Sequence, residues 1–382
     1  MDRSESSSLR FELLQSCQTI VVKVGSRVLS QPNGQLDLAR IAALSEQLTE
    51  LAKEKEVALV SSGAVAAGMA KLELAARPKD LAHLQAIASV GQAHLIQTYE
   101  ANFSQNGRHA AQVLLTAEDI DDRKRYLNLR NTLRTLFTLG TIPIINENDS
   151  VSVDELQTTF GDNDRLAAMV AGLFFKPALI ILSDVDGLYR NPDASKADRE
   201  VIQQIESDDG SVLQLAESSS GGIGKGGMQS KLKAAQFATR SGSPVVIAGG
   251  KTPNILGRLL QGEELGTLFL PESRGLAPKK RWIGFSAQVV GKVYCDAGAE
   301  QALRQNGPSL LAIGIAKVEG SFHQGDVVGI CDSQGQEFAR GLSNYSVDEL
   351  QKIVGLRSDA IAEVLGHCPY EEVIHRDNIA LM

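Results

Sequence analysis

The feature that most constrains the fold is a repeated alternation of short apolar runs with longer stretches of helical periodicity. Six runs rich in Val, Ile, Leu and Ala lie at 19–24, 57–63, 110–116, 141–149, 178–184 and 244–250. Apolar residues recur at helical spacing between them, over 37–55, 80–105 and 123–139. Near-continuous apolar runs are typical of parallel strands buried on both faces. The pattern predicts a three-layer αβα sandwich with a mostly parallel central sheet.

The pattern changes after residue 250, which predicts a second domain. Residues 252–280 are rich in Pro and Gly, and from Trp282 onward the segments are shorter and strand-rich, with two short helices over 296–306 and 346–354. We expect a small, mostly β domain there. The predicted divisions are a disordered lead-in at 1–18, the αβα domain at 19–260, a linker at 261–280, and the second domain with its C-terminal tail at 281–382.

Composition limits the class of protein. The net charge of −8 argues against a general affinity for nucleic acid or anionic membranes, and no apolar run reaches the roughly 18 residues of a membrane span. The four cysteines are far apart and show no C-x-x-C spacing, and no H-x-x-x-H pair occurs. Neither a structural zinc site nor a disulfide framework is expected. We therefore expect free thiols in a reducing cytoplasm.

Small and polar residues cluster where four of the predicted strands end. The clusters are Lys23-Val24-Gly25-Ser26, Ser61-Ser62-Gly63, Asn146-Glu147-Asn148-Asp149 and Ser183-Asp184-Val185-Asp186-Gly187. Ligands of open parallel sheets bind beyond the carboxyl ends of the strands. The four clusters therefore predict one shared cleft.

Two of the predicted loops have the chemistry of anion sites. Gly25 lets backbone N–H groups approach an anion, with Lys23 beside it, although a strand-end lysine can also simply reach water. The stretch GGIGKGGMQSK at 221–231 is not a P-loop, because Lys225 is followed by Gly226. Lys231 lies in the first turn of the predicted helix, where the helix dipole disfavours a positive charge, so we expect it to face an anion. The alternative is an ordinary surface loop followed by a helix.

The acidic clusters have alternative interpretations. In GDND at 161–164, Asp162 would cap a helix, or the polar groups would hold a cationic amine or orient the two lysines. The stretch DVDG at 184–187 is either a turn or a contact to a ribose, a base or a water-bound metal.

None of these clusters contains a histidine, so the site lacks an evident general base. That suits phosphoryl transfer to a carboxylate, which is ionised at neutral pH with a pKa of about 4.3. Such a reaction needs positioning and charge neutralisation, which two lysines, backbone N–H groups and Mg²⁺ can supply.

These stretches, in this order, resemble the amino acid kinase family, and within it the members that phosphorylate glutamate. The matching motifs are VVKVGS at 21–26, VSSGAVAAG at 60–68, IINENDSV at 144–151, GDND at 161–164, LSDVDGLY at 182–189 and GKGGMQSKLKAA at 224–235. The tail resembles a PUA domain through DAGAEQAL at 296–303, GDVVGI at 325–330, ARGLSNYS at 339–346 and EEVIHRDNIAL at 371–381.

The resemblance implies the amino acid kinase fold and ATP-dependent phosphorylation of the glutamate side-chain carboxylate, the first step of proline biosynthesis. It implies catalytic roles for Lys23, Lys231 and Asp164. The implied substrate-binding residues are Ser62, Gly63, Asp149 and Asn163. The implied nucleotide-binding residues are Lys23, Gly25, Ser26, Ser183, Asp184, Lys225, Gly226, Gly227, Met228, Gln229, Ser230 and Lys231.

The resemblance further implies Mg²⁺ dependence, feedback inhibition by proline and a homo-oligomer, either a dimer or a tetramer. The family usually has Thr where this chain has Lys225, and often Thr where it has Ser183. We also hypothesise that the stretch at 150–160 is a mobile flap that senses glutamate or proline.

Three rival functions remain. One is another amino acid kinase, with acetylglutamate or aspartate among its acceptors. The second is RNA binding through the PUA-like tail, but residues 276–382 hold 10 Lys and Arg against 13 Asp and Glu and lack a basic footprint. The third, a catalytically dead sensor, is disfavoured because all the expected site residues are present.

Overall fold

The computed structural model describes residues 3–31, 34–151, 162–191, 194, 198–206, 225–272, 278–368 and 370–382. The chain divides into two compact units. The first comprises Met1–Asp119 and Lys124–Gly275, and the second comprises Ile120–Arg123 and Leu276–Met382.

The first unit is built on a sheet of eight strands in the order β3-β4-β2-β1-β5-β7-β8-β6. Every neighbouring pair is parallel except β7 and β8. The predicted, mostly parallel sheet is confirmed. The strands are β1 Thr19–Val24, β2 Glu56–Ser61, β3 His109–Leu115, β4 Thr141–Glu147, β5 Pro177–Ser183, β6 Gln204–Ile205, β7 Val245–Gly249 and β8 Thr267–Phe269.

Helices cover both faces of this sheet. On one face, alternate residues of β1 such as Val22 pack in a continuous apolar core with Leu48 of α3 and Leu95 of α5. On the other face, α8 packs against β1, β4 and β5 and also against α9. The helices in the chain up to Gly275 are α1 Arg3–Ser16, α2 Ser26–Leu29, α3 Leu38–Leu51, α4 Ala64–Lys71, α5 Leu81–Ser104, α6 Ala117–Asp121, α7 Arg123–Thr138, α8 Asp162–Gly172, α9 Lys225–Arg240 and α10 Ile255–Leu260.

The start of the chain differs from the expected disordered lead-in over 1–18, because α1 occupies most of it. Arg10 is buried, and its guanidinium donates hydrogen bonds to the carbonyl oxygens of Gln203, Glu263 and Leu265. Leu14 joins the apolar core of the sheet. The serine-rich sequence has weak helix propensity, so these long-range contacts are what hold the helix.

The predicted linker at 261–280 also differs, since it contains β8. This strand pairs antiparallel with β7 and parallel with β6, so the sheet extends past the predicted domain end at residue 260. Strands of two and three residues are too short to produce a recognisable alternation, which is why the sequence did not reveal them.

The second unit contains a five-stranded sheet in the order β10-β9-β11-β12-β13, and it confirms the predicted small β domain. Its core includes Val293, Ile330, Phe338 and Tyr345. The strands are β9 Gly291–Cys295, β10 Ile315–Gly320, β11 Val327–Cys331, β12 Glu337–Leu342 and β13 Ile379–Leu381. The helices are α11 Pro278–Arg281, a π-helical turn Trp282–Ser286, α12 Ala297–Asn306, α13 Val347–Ile353, α14 Ile361–Leu365 and three short 3₁₀ turns.

Within the described residues, no helix has the combination of length and apolar character required to cross a lipid bilayer.

Candidate active site

A cavity of about 460 Å³ lies beyond the carboxyl ends of the central strands. In the sheet, β2 lies on one side of β1 and β5 lies on the other side. Strands that come earlier in the chain are therefore added on one side of β1 and later strands on the opposite side. Ligand crevices form at such points in open α/β sheets. The predicted residues that line the cavity are Lys23, Gly25, Ser26, Ser62, Gly63, Asp149, Asn163, Asp164, Ser183, Asp184, Gly227, Met228 and Lys231.

One buried carboxylate holds two lysines at this cavity. The Nζ atom of Lys23 lies 2.6 Å from Oδ1 of Asp164, and Nζ of Lys231 lies 3.0 Å from Oδ2 of the same side chain. Lys23 comes from β1, Asp164 from the first turn of α8 and Lys231 from α9. Asp164 is 1 % exposed, so the pairing takes place almost out of reach of water.

The electrostatics of this cluster follow from burial and from the two ammonium groups. Burial alone would raise the pKa of Asp164, but the charges of Lys23 and Lys231 outweigh it and the pKa is lowered. For Lys231, burial and the neighbouring Lys23 lower the pKa in spite of the attraction to Asp164. Two ammonium groups against one carboxylate leave an excess positive charge, which suits a phosphoryl group.

The structure describes only part of the predicted nucleotide loop. Lys231 also donates a hydrogen bond to the carbonyl oxygen of Gly227, 3.2 Å away, within α9. Gln229 and Ser230 belong to the same helix but do not line the cavity. Lys225 and Gly226 begin α9, but their side-chain environment and all of residues 221–224 lie outside what the structure describes, as does the flap predicted at 150–160 apart from 150 and 151.

Asp149 contributes a second buried carboxylate to the cavity. It is 7 % exposed, and its Oδ1 has no hydrogen-bond partner among the described residues. Burial, reinforced by the negative charge of Glu147, raises the pKa of Asp149 to about 7, while the charge of Arg77 opposes the rise. A buried carboxylate without a partner is costly, so the site is suited to a cationic ligand.

Buried amides connect the predicted substrate residues. Asn163 Nδ2 donates hydrogen bonds to Ser62 Oγ at 2.9 Å and to Asn146 Oδ1 at 3.0 Å. Asn146 in turn donates to Gln92 Oε1 at 3.0 Å. Gly63 follows Ser62 with a φ of 114°, which a residue with a side chain rarely adopts, and α4 begins immediately after it.

A half-exposed ion pair lies at another part of the cavity wall. Arg27 Nη1 is 3.1 Å from Asp184 Oδ2, and Ser183 Oγ donates to Asp184 Oδ1 at 3.2 Å. Burial acts to raise the pKa of Asp184, but its hydrogen bond with Arg27 contributes to a net lowering. Asp184 therefore remains ionised and neutralises Arg27 before any ligand arrives.

Sequence reasoning assigned no individual role to four of the residues at this site. Arg27 and Arg77 line the cavity, Asn146 links its amides and Gln92 supports them from α5. Arg27 and Asn146 stand inside or beside clusters already recognised, so their position in the chain could have indicated them. Arg77 and Gln92 carry no local signal, because a charged loop residue and a single polar residue on a helix are both common.

The described residues offer no protein cage for a metal ion. No group of three or more His, Cys, Asp or Glu side chains that could hold a metal occurs among them. Mg²⁺ typically keeps several waters and binds one or two carboxylates together with substrate phosphates. Of the three carboxylates lining the described part of the cavity, Asp164 is bound by lysines and Asp149 is buried, which leaves the half-exposed Asp184. The donor set thus fits only a Mg²⁺ ion bound mainly by nucleotide phosphates.

Comparison with known proteins places the chain in a family. The sequence profile of the amino acid kinase family matches residues 18–249, and that of the PUA domain matches residues 291–365. The chain belongs to the amino acid kinase family. The family match spans the αβα unit that forms the cavity, so the predicted family and the predicted PUA domain are both confirmed.

Curated relatives match this amino acid kinase over its whole length. The glutamate 5-kinase of Rhodopirellula baltica is 48% identical over 384 residues, covering 100% of this chain and 98% of that protein. The glutamate 5-kinase of Pseudomonas putida is 47% identical over 363 residues, covering 95% of this chain and 97% of that protein. Among solved structures, the carbamate kinase from Giardia lamblia bound to AMP-PNP has a TM-score of 0.49 and 18% identity, covering 67% of this chain and 99% of that chain.

Proposed function

We propose that this amino acid kinase transfers the γ-phosphoryl group of ATP to the side-chain carboxylate of L-glutamate. The products are γ-glutamyl 5-phosphate and ADP, and the reaction is the first step of proline biosynthesis. The full-length similarity to glutamate 5-kinases supports the choice of acceptor. The observation that carries the chemistry is the pair of lysines held by one buried carboxylate at the cavity.

In the proposed reaction, Lys23 and Lys231 bind the phosphoryl group that is transferred. A glutamate carboxylate oxygen attacks the γ-phosphorus, and the bond from that phosphorus to the oxygen retained by ADP breaks. Both reactants are anionic, so the reaction requires positive charge at the point where they meet. Asp164 keeps the two ammonium groups in place, which supplies that charge with little reorganisation.

The residues that bind the acceptor, L-glutamate, are Asp149, Ser62 and Asn163. The Asp149 carboxylate, whose Oδ1 has no hydrogen-bond partner among the described residues, suits the ammonium of an α-amino acid. The Ser62 and Asn163 side chains, hydrogen-bonded to each other, suit its carboxylate oxygens. No general base is needed, because the glutamate carboxylate is already ionised at neutral pH. This chain therefore has to bind, orient and neutralise, and it does not have to remove a proton.

ATP would lie along the wall formed by Gly25, Ser26, Ser183, Asp184 and the start of α9. Mg²⁺ would arrive on its phosphates, with Asp184 as the available carboxylate, and would neutralise phosphate charge there. Arg27 already binds Asp184, so it would help to position that carboxylate.

Trapping the acyl phosphate with hydroxylamine tests the reaction. The chain is incubated with ATP, Mg²⁺ and L-glutamate, and the hydroxamate is measured. We expect product from glutamate, and a fall in kcat of about a hundredfold or more in Lys231→Ala, as when a group that stabilises transition-state charge is removed. Lys233→Ala is the matched control, because Lys233 is an exposed lysine on the same helix.

Two results would contradict the proposal. Hydroxamate formed from acetylglutamate or aspartate but not from glutamate would keep the kinase and change the acceptor. Equal activity of Lys231→Ala and Lys233→Ala would remove Lys231 from the reaction.

Acetylglutamate is the acceptor against which the geometry argues. Its acetylated nitrogen has no positive charge, so it could not neutralise the buried Asp149 carboxylate. Aspartate retains the ammonium but is one methylene shorter, and such a difference typically changes discrimination by about 10–200-fold.

Three properties rest on the family resemblance and remain part of the proposal: Mg²⁺ dependence, feedback inhibition by proline, and assembly into a dimer or tetramer. We also propose a cytoplasmic location. The cysteines Cys17, Cys295, Cys331 and Cys368 are free thiols, which suits a reducing compartment. RNA binding by the PUA domain is disfavoured by the acidic balance of residues 276–382.

A further inference from the structure

A line of hydrogen-bonded side chains runs inward from the substrate end of the cavity. Its members, Ser62, Asn163, Asn146 and Gln92, come from four different segments of the chain, and each is less than a tenth exposed. We call these four residues the amide relay. An exposed residue, Gln112, terminates it, because Gln92 Nε2 lies 3.5 Å from Gln112 Oε1.

The relay has a direction, because a primary amide donates only through nitrogen and accepts only through oxygen. Gln92 Oε1 accepts from Asn146 Nδ2, so Asn146 must present its oxygen to Asn163. Asn163 then presents its nitrogen, which donates to Ser62 Oγ at 2.9 Å. Ser62 Oγ is the acceptor in this bond, and among the described residues the Ser62 hydroxyl donates no hydrogen bond.

We propose that Gln92 is a positioning residue for the proposed reaction, and that it sets the direction of the amide relay so that the Ser62 hydroxyl donates to a carboxylate of the bound amino acid. The inference rests on the proposed function, because it takes the acceptor to be a carboxylate. Gln92 does not line the cavity, so it is not placed to contact a substrate bound there. It acts by preventing the amides of Asn146 and Asn163 from turning over.

Loss of the Gln92 acceptor would remove this constraint. With no oxygen to accept from its Nδ2, Asn146 could rotate its amide, and Asn163 could then direct its oxygen toward Ser62. The serine hydroxyl would be drawn back to donate to Asn163 and would be lost to the substrate. A hydrogen bond to a charged group contributes enough for its loss to weaken binding about ten- to a hundredfold.

The test compares Gln92→Met with Gln97→Met in the full-length protein. Gln97 is an exposed glutamine on the same helix, α5, and its substitution should change nothing. For Gln92→Met we expect KM for glutamate to rise at least about tenfold, with KM for ATP within about twofold of wild type. A glutamate KM that does not rise, or an equal rise of both KM values, would overturn the inference.

A double-mutant cycle with Ser62→Ala separates positioning from general damage. Without the hydroxyl there is nothing left to position, so adding Gln92→Met to Ser62→Ala should have little further effect on KM for glutamate. Full additivity would overturn the inference. If Gln92→Met does not fold, Gln92→Glu replaces it in the test, because glutamate preserves both the size and the acceptor oxygen of Gln92. The KM of Gln92→Glu for glutamate should stay within about threefold of wild type. A rise of about tenfold or more would overturn the inference.

Calorimetric titration of L-glutamate into the same proteins without ATP keeps the two proposals apart. A wild type that binds glutamate but forms no hydroxamate would refute the proposed reaction, and the comparison of Gln92→Met with Gln97→Met would still decide the inference. A wild type that does not bind glutamate, yet phosphorylates a different acceptor, would overturn both.

Discussion

At the scale of single residues, the site places charges where water is largely excluded. Lys23, Asp149 and Asp164 are each less than a tenth exposed. Charged side chains are rarely buried so deeply unless they are paired. Lys23 and Asp164 form an ion pair, whereas Asp149 has no ion-pair partner and its Oδ1 has no hydrogen-bond partner among the described residues. Burial of the Asp149 carboxylate therefore carries a cost that a cationic ligand would reduce.

That cost predicts how stability depends on pH. The pKa of Asp149 rises from 3.8 to about 7 on folding, mainly through burial. A carboxyl with a raised pKa contributes its full stability below the unfolded value and loses it as the pH rises through the folded value. Asp149→Asn cannot ionise, so it should be more stable than wild type at pH 8, by on the order of 3 kcal/mol, with a much smaller difference near pH 4.

Urea unfolding of both proteins at the two pH values measures this difference. Asp359→Asn is the control, because the Asp359 side chain is 77% exposed and its substitution should have a similar small effect at both pH values. A stability difference for Asp149→Asn that does not grow with pH would contradict the explanation.

The sequence predicted most residues that touch the cavity, and the reason is local. Lys23, Asp149 and Asp164 stand at strand ends or helix starts, where parallel topology brings distant segments together. Gln92 was missed because it lies within a helix and its importance depends on what faces it across about 50 residues of chain.

At the scale of elements, the close contact between α4 and α5 positions Ser62 and Gly63, which come directly before α4. A Cβ atom at Gly91 of α5 would lie 1.8 Å from the carbonyl oxygen of Ala64, the first residue of α4. A Cβ atom at Gly68 would lie 1.9 Å from the carbonyl oxygen of Ile87. Since α4 follows directly after Ser62 and Gly63, the approach of these two backbones positions the end of β2.

Gly91→Ala should therefore affect both stability and substrate binding. The added methyl group cannot fit without separating the helices, and overpacking of this kind typically costs about 1–3 kcal/mol. We expect a lower Tm together with a raised KM for glutamate, because Ala64 would move and take Gly63 with it. Gly172→Ala is the control, since a Cβ atom there would meet nothing within 4 Å. Unchanged Tm and KM in Gly91→Ala would contradict the packing argument.

Periodicity predicted the long elements well and the short ones poorly. The run TIVVKV gives β1 with the predicted bounds, Thr19–Val24, because six buried residues leave a clear pattern. In contrast, β6, β8 and α1 depend on partners elsewhere in the chain, and their own sequences contain little hydrophobic pattern. Tertiary contacts override propensity in such segments.

At the scale of the whole molecule, the second unit is not formed by one continuous stretch. It includes Ile120–Arg123 as well as Leu276–Met382. The Nε1 atom of Trp282 donates a hydrogen bond to the carbonyl oxygen of Ile120 at 3.1 Å, and the guanidinium of Arg123 lies 4.7 Å from the centre of the Trp282 ring. The sequence predicted two domains but gave no indication of this shared segment, because four residues cannot reveal where they will pack.

A fragment of residues 276–382 should therefore leave its tryptophan incompletely covered. Trp282 is the single tryptophan of the chain and is 3% exposed in the full-length protein. We expect its fluorescence emission to shift to longer wavelength in the fragment, because the indole loses the Ile120 and Arg123 contacts and gains water. The fragment should also unfold at a lower urea concentration than the same unit in the full-length chain. An emission maximum identical to that of the full-length protein would contradict this prediction.

The sharing of Asp164 between two lysines also limits the order in which this site could be dismantled during evolution. Replacing either lysine leaves one ammonium against one carboxylate, which is still a neutral pair. Replacing Asp164 first leaves two ammonium groups close together in the protein interior, and breaking a buried pair in this way typically costs about 3–5 kcal/mol. A descendant that drifts away from kinase activity should therefore lose Lys23 or Lys231 while it still retains Asp164, so an aspartate paired with a single lysine would be the expected remnant of an abandoned active site.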